Sequence, residues 1–329
     1  MATTPTVNDV EAAMSRIRPH VTETPLWPSS DLSERSGATV FLKLESLQRT
    51  GSFKIRGALN RLTQLSEVER ARGVIAWSSG NHAQGVALAA RLVGTTATIV
   101  MPSDAPAIKT AGTLRLGAKI VPYDRVREDR EAIARRIAAE HGLTIVPAFD
   151  DPDVIAGQGT IGLEIVRQMA GCDATIDDVY VPVSGGGLIA GIATAILAHI
   201  PKARIFSVEP VGYDDHLRSL AAGHKVRNSS ASRALCDGLL APEPGRLTWD
   251  INRRALAGGL AVSEEEVRAA VAFAFHRLKI VVEPSGAVGL AALLSPRHQS
   301  AGRTAIAVVT GGNVDPLVFS DCIVSSANN

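Results

Sequence analysis

Short apolar runs rich in β-branched residues recur along the chain, and longer segments with helical spacing separate them. Many runs are apolar at successive positions, which is typical of parallel strands that helices cover on both faces. The alternation predicts a doubly wound α/β fold with right-handed crossovers. The predicted strands are residues 40–45, 74–78, 97–101, 119–123, 144–147, 178–183, 204–208 and 305–310.

The clearest predicted helix covers residues 264–278. Ser263 is a plausible N-cap, and Glu266 stands three residues later, which together form a capping box. Residues 128–141 also carry apolar side chains at helical spacing. The polar stretch 227–233 predicts a loop.

Composition narrows the class of protein. At roughly 100–200 residues per domain, the length of 329 residues suggests two domains or one α/β body with a lobe. A hydrophobic fraction of 46% excludes wholesale disorder. The formal charge of +1 and the 4% aromatic content offer no surface for nucleic acid or an anionic membrane.

Cysteines and apolar runs indicate the compartment. Cys172, Cys236 and Cys322 form no CxxC pair, which argues against a disulfide framework or a thiolate zinc site. No apolar run approaches the roughly 18 residues of a membrane span, and the N-terminus lacks a signal-peptide pattern. We therefore expect a soluble, cytoplasmic protein without a membrane or nucleic-acid partner.

Ligands of open parallel sheets bind beyond the carboxyl ends of the strands. Three turns rich in glycine or serine follow predicted strands and should gather on one side of the molecule. They are Ser78-Ser79-Gly80-Asn81-His82, Ser184-Gly185-Gly186-Gly187 and Thr310-Gly311-Gly312-Asn313.

The glycine triplet opens a helix, so that its backbone N–H groups suit a phosphate without the help of a basic side chain. The same residues match the dinucleotide fingerprint G-x-G-x-x-A, and Glu209 ends the next strand where a ribose ligand would sit. The triplet alone therefore leaves open a nicotinamide, another phosphorylated cofactor or a plain turn.

Lys54 stands between Phe53 and Ile55, and it is one of only seven lysines in the chain. A desolvated lysine has a lowered pKa and can join an aldehyde cofactor covalently. The alternative is an ordinary surface lysine with a buried stem. The serine-rich turn likewise suits a substrate carboxylate or is simply the capped start of a helix. The turn at Thr310 is by itself only weak evidence for a functional site.

Taken together, in this order and spacing, these motifs resemble the fold-type II pyridoxal-phosphate enzymes of the threonine/serine dehydratase and serine racemase branch. The resemblance covers nearly the whole chain, from Thr24-Pro25-Leu26 and Leu42-Lys43-Leu44-Glu45 to Thr310–Asp315. It implies a two-lobed, tryptophan synthase β-like fold, with a small lobe at 51–145 and a large lobe formed by 1–50 and 146–329. It also implies a homodimer.

The resemblance assigns the residues that hold pyridoxal 5′-phosphate. Lys54 corresponds to the lysine that joins the cofactor, Phe53 to the side chain against its pyridine ring, Asn81 to the partner of its phenolic oxygen and Thr310 to the partner of its ring nitrogen. Many members have a fourth glycine where this chain has Ser184. The phosphate would bind the N–H groups of Gly185, Gly186, Gly187 and Leu188.

The resemblance also places the substrate and a metal. Ser78, Asn81 and His82 would hold the substrate carboxylate, partly through backbone groups, and Arg130 would lie near the distal side of the substrate. Ser79 would face the substrate opposite Lys54 and act in catalysis.

Glu209, the carbonyl of Tyr213 and Asp215 resemble the divalent-cation site of the family. An all-oxygen set of this kind suits Mg²⁺, or alternatively Ca²⁺ or Mn²⁺. Two solvated acids in a loop are the other interpretation.

These assignments imply a dehydratase that converts a 3-hydroxy-L-amino acid (serine, threonine or 3-hydroxyaspartate) to a 2-oxo acid and ammonia. Ser79 makes amino-acid racemisation, of the serine or aspartate type, the alternative within the class, because its hydroxyl could return a proton to the opposite face. Outside the class stand a nicotinamide-dependent oxidoreductase and a non-catalytic binding protein.

Overall fold

The computed structural model describes residues 3–172, 174–229 and 234–325. Within these ranges the strands form two sheets. The strands are β1 (Leu26–Pro28), β2 (Thr39–Leu44), β3 (Val74–Trp77), β4 (Ala97–Pro102), β5 (Lys119–Tyr123), β6 (Thr144–Ile145), β7 (Asp178–Pro182), β8 (Arg204–Pro210), β9 (Gly258–Val262) and β10 (Thr304–Val309).

The α-helices surround and connect these strands. They are α1 (Val7–Ile17), α2 (Ser30–Ser36), α3 (Lys54–Leu62), α4 (Glu67–Arg72), α5 (Asn81–Val93), α6 (Ala107–Arg115), α7 (Arg130–His141), α8 (Pro152–Met169), α9 (Gly187–His199), α10 (Asp215–Ala222), α11 (Arg246–Ala255), α12 (Glu264–Phe273), α13 (Pro284–Leu294) and α14 (Pro316–Ser325). Two short 3₁₀ turns, Glu45–Leu47 and Arg49–Gly51, precede α3, and a π-helical turn, Ala274–Leu278, extends α12.

The larger sheet has the order β1-β2-β10-β7-β8-β9, and every pair in it is parallel except β1 with β2. The smaller sheet has the order β5-β4-β3-β6 and is parallel throughout. Apolar side chains on the two faces of the larger sheet form separate buried clusters, one against α13 and one against α9. This is the α/β architecture that the alternating pattern predicts.

All eight predicted strands are present, with ends that differ by up to two residues. The sequence pattern missed β1 and β9, which are short or glycine-rich and only partly buried. The smaller sheet lies inside the predicted small lobe at 51–145, whose exact limits stay a prediction.

Two predicted helices are confirmed with small changes. The helix predicted from residue 128 starts at Arg130, because the Asp129 side chain accepts hydrogen bonds from the Glu131 and Ala132 N–H groups. The Ser263–Glu266 capping box starts α12 as predicted. Residues 227–229 of the predicted loop carry no helix or strand, and residues 230–233 lie outside the described residues.

A buried network of charges joins helix α3 to the end of β2 and to α8. The Arg56 guanidinium is fully buried and donates to Glu45 at 2.8 Å and to Glu164 at 2.7 Å. Lys43 Nζ donates to the second oxygen of Glu164 at 2.6 Å. Two cations therefore balance two acids, and removing any one would leave a buried charge uncompensated. The network fixes α3 only two residues beyond Lys54.

Candidate active site

The three predicted turns meet at a cleft of ≈ 470 Å³ between the two sheets. Each follows a strand at its carboxyl end: Ser78 follows β3, Ser184 follows β7 and Thr310 follows β10. The expectation that the three turns gather on one side of the molecule is therefore confirmed.

Lys54 occupies the first position of α3, and its side chain enters this cleft. Its Nζ donates to the Ala148 carbonyl at 3.1 Å and lies 5.0 Å from the centre of the Phe53 ring. Gly85 allows α5 to pass close to it, since a Cβ atom at that position would lie 3.0 Å from the Lys54 carbonyl carbon. Desolvation lowers the pKa of Lys54 to about 8, although the Glu283 carboxylate opposes that shift.

The glycine turn directs its N–H groups toward the cleft. Thr248 Oγ1 donates to the Gly185 carbonyl at 2.6 Å, and Asn252 Nδ2 donates to the Gly186 carbonyl at 3.3 Å, both from α11 behind the turn. In a trans peptide the N–H points opposite to the C=O, so the N–H groups of Gly186 and Gly187 face away from α11. Gly186 has φ +94°, a conformation that favours glycine.

The Ser184 side chain has a structural partner in the cleft. Its hydroxyl accepts a hydrogen bond from the Ala241 N–H at 3.1 Å. This contact ties the glycine turn to the 234–241 segment, which lines the same cleft.

Asn81 sits in a chain of hydrogen bonds that fixes its amide. Its Nδ2 donates to Glu283 Oε1 at 2.6 Å, while its Oδ1 accepts from Asn313 Nδ2 at 2.8 Å. Asn313 Nδ2 also donates to the Thr50 carbonyl at 2.6 Å. Since one hydrogen of Nδ2 remains after Glu283 is satisfied, Asn81 can present a donor to the cleft.

Glu283 is a buried acid at the N-cap of α13. Burial raises the pKa of its carboxyl to about 7, and the Asp237 carboxylate adds to this shift, while Asn81, Lys109 and Lys54 oppose it. The site thus contains an acid and the amine of Lys54 that both titrate near neutral pH.

The serine-rich turn meets the start of α5. The Gly80 N–H donates to Ser78 Oγ at 3.1 Å, and Ser79 lines the cleft beside it. The His82 ring is buried, with Nε2 3.0 Å from the Val146 carbonyl, and burial together with Lys54 lowers its pKa to about 3. His82 is therefore neutral, so that its contact with an anion must come from its backbone N–H.

Thr310 and Arg130 both line the cleft, but Thr310 is buried and Arg130 is exposed. Thr310 is buried at the end of β10, and its carbonyl accepts from the Phe53 N–H at 3.2 Å, which places it next to the Lys54 segment. Arg130 is exposed at the start of α7 and lines the cleft. Among the described residues no hydrogen bond or ion pair engages its guanidinium.

Behind the glycine turn lies a buried cluster of Glu209, Asp215 and His216, whose potential ligand atoms lie within 4.8 Å of one another. Glu209 accepts from the His216 and Leu217 N–H groups, each at 2.8 Å. Burial and the Asp215 carboxylate raise the pKa of Glu209 well above its ordinary value. Asp215 Oδ2 and His216 Nδ1 are buried without a hydrogen-bond partner.

Sequence reasoning gave no role to Lys109, Asp237 and Glu283, which line the cleft, or to Asn313, which contacts Asn81. Asn313 stands in a turn that the sequence singled out, and Glu283 immediately precedes a proline that starts a helix. Lys109 and Asp237 carry no comparable local signal.

The comparisons with known proteins agree with this geometry. Residues 17–311 match the family model described as pyridoxal-phosphate dependent enzyme, and the chain belongs to that family. The chain is 44% identical to an L-threo-3-hydroxyaspartate ammonia-lyase of Pseudomonas sp, a match that covers 94% of this chain and 95% of that protein.

A second such ammonia-lyase, from Saccharomyces cerevisiae, is 42% identical over 97% of this chain and 96% of its own length. The structure of maize serine racemase superposes with a TM-score of 0.91 at 36% identity, covering 99% of both chains. The protein is thus a pyridoxal-phosphate-dependent carbon–nitrogen lyase with the fold-type II architecture.

This membership sets aside the nicotinamide oxidoreductase. Glu209, which that alternative assigned to a ribose, instead directs both carboxylate oxygens to the start of α10.

Proposed function

We propose that the protein dehydrates 3-hydroxyaspartate, giving oxaloacetate and ammonia. The observation that carries this choice is Arg130, a cation that lines the cleft without a partner among the described residues. A second carboxylate on the substrate would pair with it, whereas serine and threonine bring no such group. The similarity to two 3-hydroxyaspartate ammonia-lyases supports the same substrate.

The residues of the cleft fit pyridoxal phosphate. The inward N–H groups of the glycine turn suit a phosphate, Asn81 offers an amide donor, and Thr310 offers a hydroxyl at the end of β10. Phe53 lies beside Lys54 and would contact the ring. When bound, the cofactor supplies an aldehyde carbon for the amino group and withdraws electrons from the substrate Cα.

Lys54 would remove the proton from the substrate Cα. A pKa near 8 leaves part of the amine neutral at neutral pH, so that Nζ can accept this proton. The N–H groups at the start of α5, with Ser78, would hold the α-carboxylate. The β-hydroxyl then leaves with a proton as water, so that the elimination as a whole removes one hydrogen from Cα and the hydroxyl from Cβ. Water converts the resulting enamine to the 2-oxo acid and ammonia.

Racemisation is the second candidate function, because a hydroxyl lines the cleft at Ser79. Proton return from Ser79 Oγ to the face opposite Lys54 would invert Cα. The similarity to maize serine racemase supports this side activity.

We also infer a divalent cation, Mg²⁺ or alternatively Ca²⁺ or Mn²⁺, at Glu209, Asp215 and the Tyr213 carbonyl. Asp215 Oδ2 is buried without a hydrogen-bond partner, and burial beside Asp215 raises the pKa of Glu209, so that a cation between the two acids would stabilise both carboxylates. The ion would stabilise the turn behind the glycine loop, since His216 Nε2 lies against Gly186.

Assembly and location remain proposals from the family resemblance. We propose a homodimer in the cytoplasm, which light scattering of the purified protein and cell fractionation would test. In the described ranges, no helix combines the length and the apolar character that crossing a bilayer requires.

The function is tested by a substrate panel on the purified holoenzyme. Serine, threonine and both diastereomers of 3-hydroxyaspartate are scored for 2-oxo acid and for chirality. We expect the highest kcat/KM for a 3-hydroxyaspartate diastereomer, and Arg130→Gln should lower it by roughly 10–100-fold while kcat/KM for serine changes little. Arg136→Gln, an exposed arginine of the same helix, is the matched control.

Turnover of serine or threonine in preference to both 3-hydroxyaspartates would overturn the choice of substrate. Equal effects of Arg130→Gln on serine and 3-hydroxyaspartate would overturn the assigned role of Arg130. D-amino acid without 2-oxo acid would favour the racemase.

A further inference from the structure

An ion pair between Lys109 and Asp237 joins the two sides of the cleft. Lys109 lies on α6 beside the smaller sheet, and Asp237 lies in the segment between α10 and α11 of the larger one. Lys109 Nζ donates to Asp237 Oδ2 at 2.5 Å, and both residues line the cleft. Neither residue has a role in the mechanism described above.

The two partners differ in how firmly they are held. The side chain of Lys109 is 10% exposed, whereas that of Asp237 is 55% exposed. The Lys109 side chain is therefore nearly buried in the wall of the cleft, whereas the Asp237 carboxylate contacts it from the solvent side. An exposed carboxylate of this kind exchanges at little cost for another carboxylate, because water solvates it when it leaves.

Lys109 lies beside the turn that would hold the substrate α-carboxylate. A Cβ atom built on Gly80 would lie 3.7 Å from Lys109 Nζ. The charges of Lys109 and Asp237 both act on the buried Glu283, which contacts Asn81 at the floor of the cleft. The ion pair thus lies within electrostatic reach of the substrate pocket and is not confined to its outer rim.

We propose that Lys109 is a specificity-determining residue that exchanges the Asp237 carboxylate for the second carboxylate of a dicarboxylic amino acid. Asp237 occupies the cation while the cleft is empty, and the substrate displaces it when it binds. Lys109 then pairs with the distal carboxylate, and Arg130, which lines the same cleft, is the second cation available to it. A monocarboxylic substrate leaves the ion pair intact and gains nothing from either cation.

The inference rests on the proposed function, and it predicts that the loss of one partner of an ion pair strengthens the binding of a ligand. Removing the acid should improve binding of a dicarboxylate, because the ligand no longer competes with Asp237 for Lys109. If the ion pair only ties the two halves of the cleft together, removing the acid should instead weaken every ligand.

The test uses calorimetric titration of the holoenzyme with succinate and with butyrate, which have the same number of carbons and differ by one carboxylate. Asp237→Asn should lower the Kd of succinate on the order of tenfold, the effect of one charge-assisted hydrogen bond, and leave butyrate unchanged. Lys109→Gln should raise the Kd of succinate by a similar factor, and Lys109→Arg should restore most of the affinity. Asp250→Asn removes an acid from an exposed ion pair outside the cleft and is the control for net charge.

Weaker binding of both ligands by Asp237→Asn, or an unchanged Kd for succinate, would overturn the exchange. The substrate panel separates this outcome from a failure of the proposed function. A wild-type enzyme that turns over 3-hydroxyaspartate but whose Asp237→Asn variant binds succinate no more tightly contradicts the role of Lys109 alone. A wild-type enzyme without turnover of 3-hydroxyaspartate contradicts the substrate.

Discussion

Asn81 Nδ2 donates a hydrogen bond to Glu283 Oε1 at 2.6 Å, and this contact joins the first residue of α5 to the N-cap of α13. The two residues are 202 positions apart in the chain. Because the other side of the amide accepts from Asn313, the orientation of Asn81 is set from both ends. The protonation state of Glu283 therefore bears on the group that would contact the cofactor.

Glu283 should make the protein less stable as pH rises. An acid that is paired with a cation at the surface has the opposite effect, because it makes a protein less stable as pH falls. Burial raises its pKa from 4.5 to about 7, so the folded state binds more protons than the unfolded state between these values. The free energy of unfolding should then fall as pH rises through this window, by roughly 2–3 kcal/mol from this group. Because the lowered pKa of His82 makes stability rise with pH over part of the same range, the fall is measured as the difference between wild type and Glu283→Gln in urea unfolding at pH 5 and pH 7.5.

Glu283→Gln should remove that fall, since it keeps a hydrogen-bonding side chain without a titrating proton. Glu140→Gln changes an exposed acid and is the control. A fall of equal size in Glu283→Gln and in the wild type would show that another group causes it.

Lys54→Ala should abolish the covalent attachment of the cofactor. The purified wild type should absorb near the edge of the visible range and change its spectrum when substrate is added, and the variant should do neither. Loss of the amine that moves the Cα proton should lower turnover by at least about 10²–10⁴-fold. Lys202→Ala, on the surface, should leave spectrum and turnover unchanged. Borohydride trapping with peptide mass mapping should find the adduct at Lys54, and an adduct at any other lysine contradicts the assignment.

Ser79→Ala should separate inversion from elimination. Elimination needs a base on only one face of Cα, whereas inversion needs a proton donor on the other face as well. The variant should therefore lose the formation of D-amino acid and retain the formation of 2-oxo acid, as measured by chiral chromatography and a coupled 2-oxo acid assay. Parallel loss of both activities would reject the assignment of the two faces.

Removal of a bound divalent cation should lower the melting temperature. An ion that binds only the folded protein stabilises it by about 2.7 kcal/mol at a hundred times its Kd, and Mg²⁺ added after EDTA should restore the loss. Asp215→Asn should abolish the response, because its Oδ2 is a buried oxygen without a partner. A wild type that ignores EDTA, or an Asp215→Asn variant that responds as the wild type does, would contradict the site.

Local features were enough to predict most of the scaffold. Apolar runs of β-branched residues define eight strands, and glycine or serine after a strand marks the three turns that line the cleft. These signals lie within a few neighbouring residues, where backbone preference and side-chain periodicity act. The residues around Lys54 and the glycine turn marked both as candidates, while the role of each came from the family resemblance.

Ion pairs between residues that are far apart in the chain could not be predicted from such local features. Lys109 and Asp237 are 128 positions apart, and nothing in the residues around either one points to the other. The same holds for the buried charges of Arg56 and Glu164, which are 108 positions apart. Whether an acid is solvated, neutralised by a lysine or forced to hold its proton depends on which groups the packed sheets bring within a few ångströms. That environment, and with it the pKa of Glu283 and the competition for Lys109, exists only after the chain has folded.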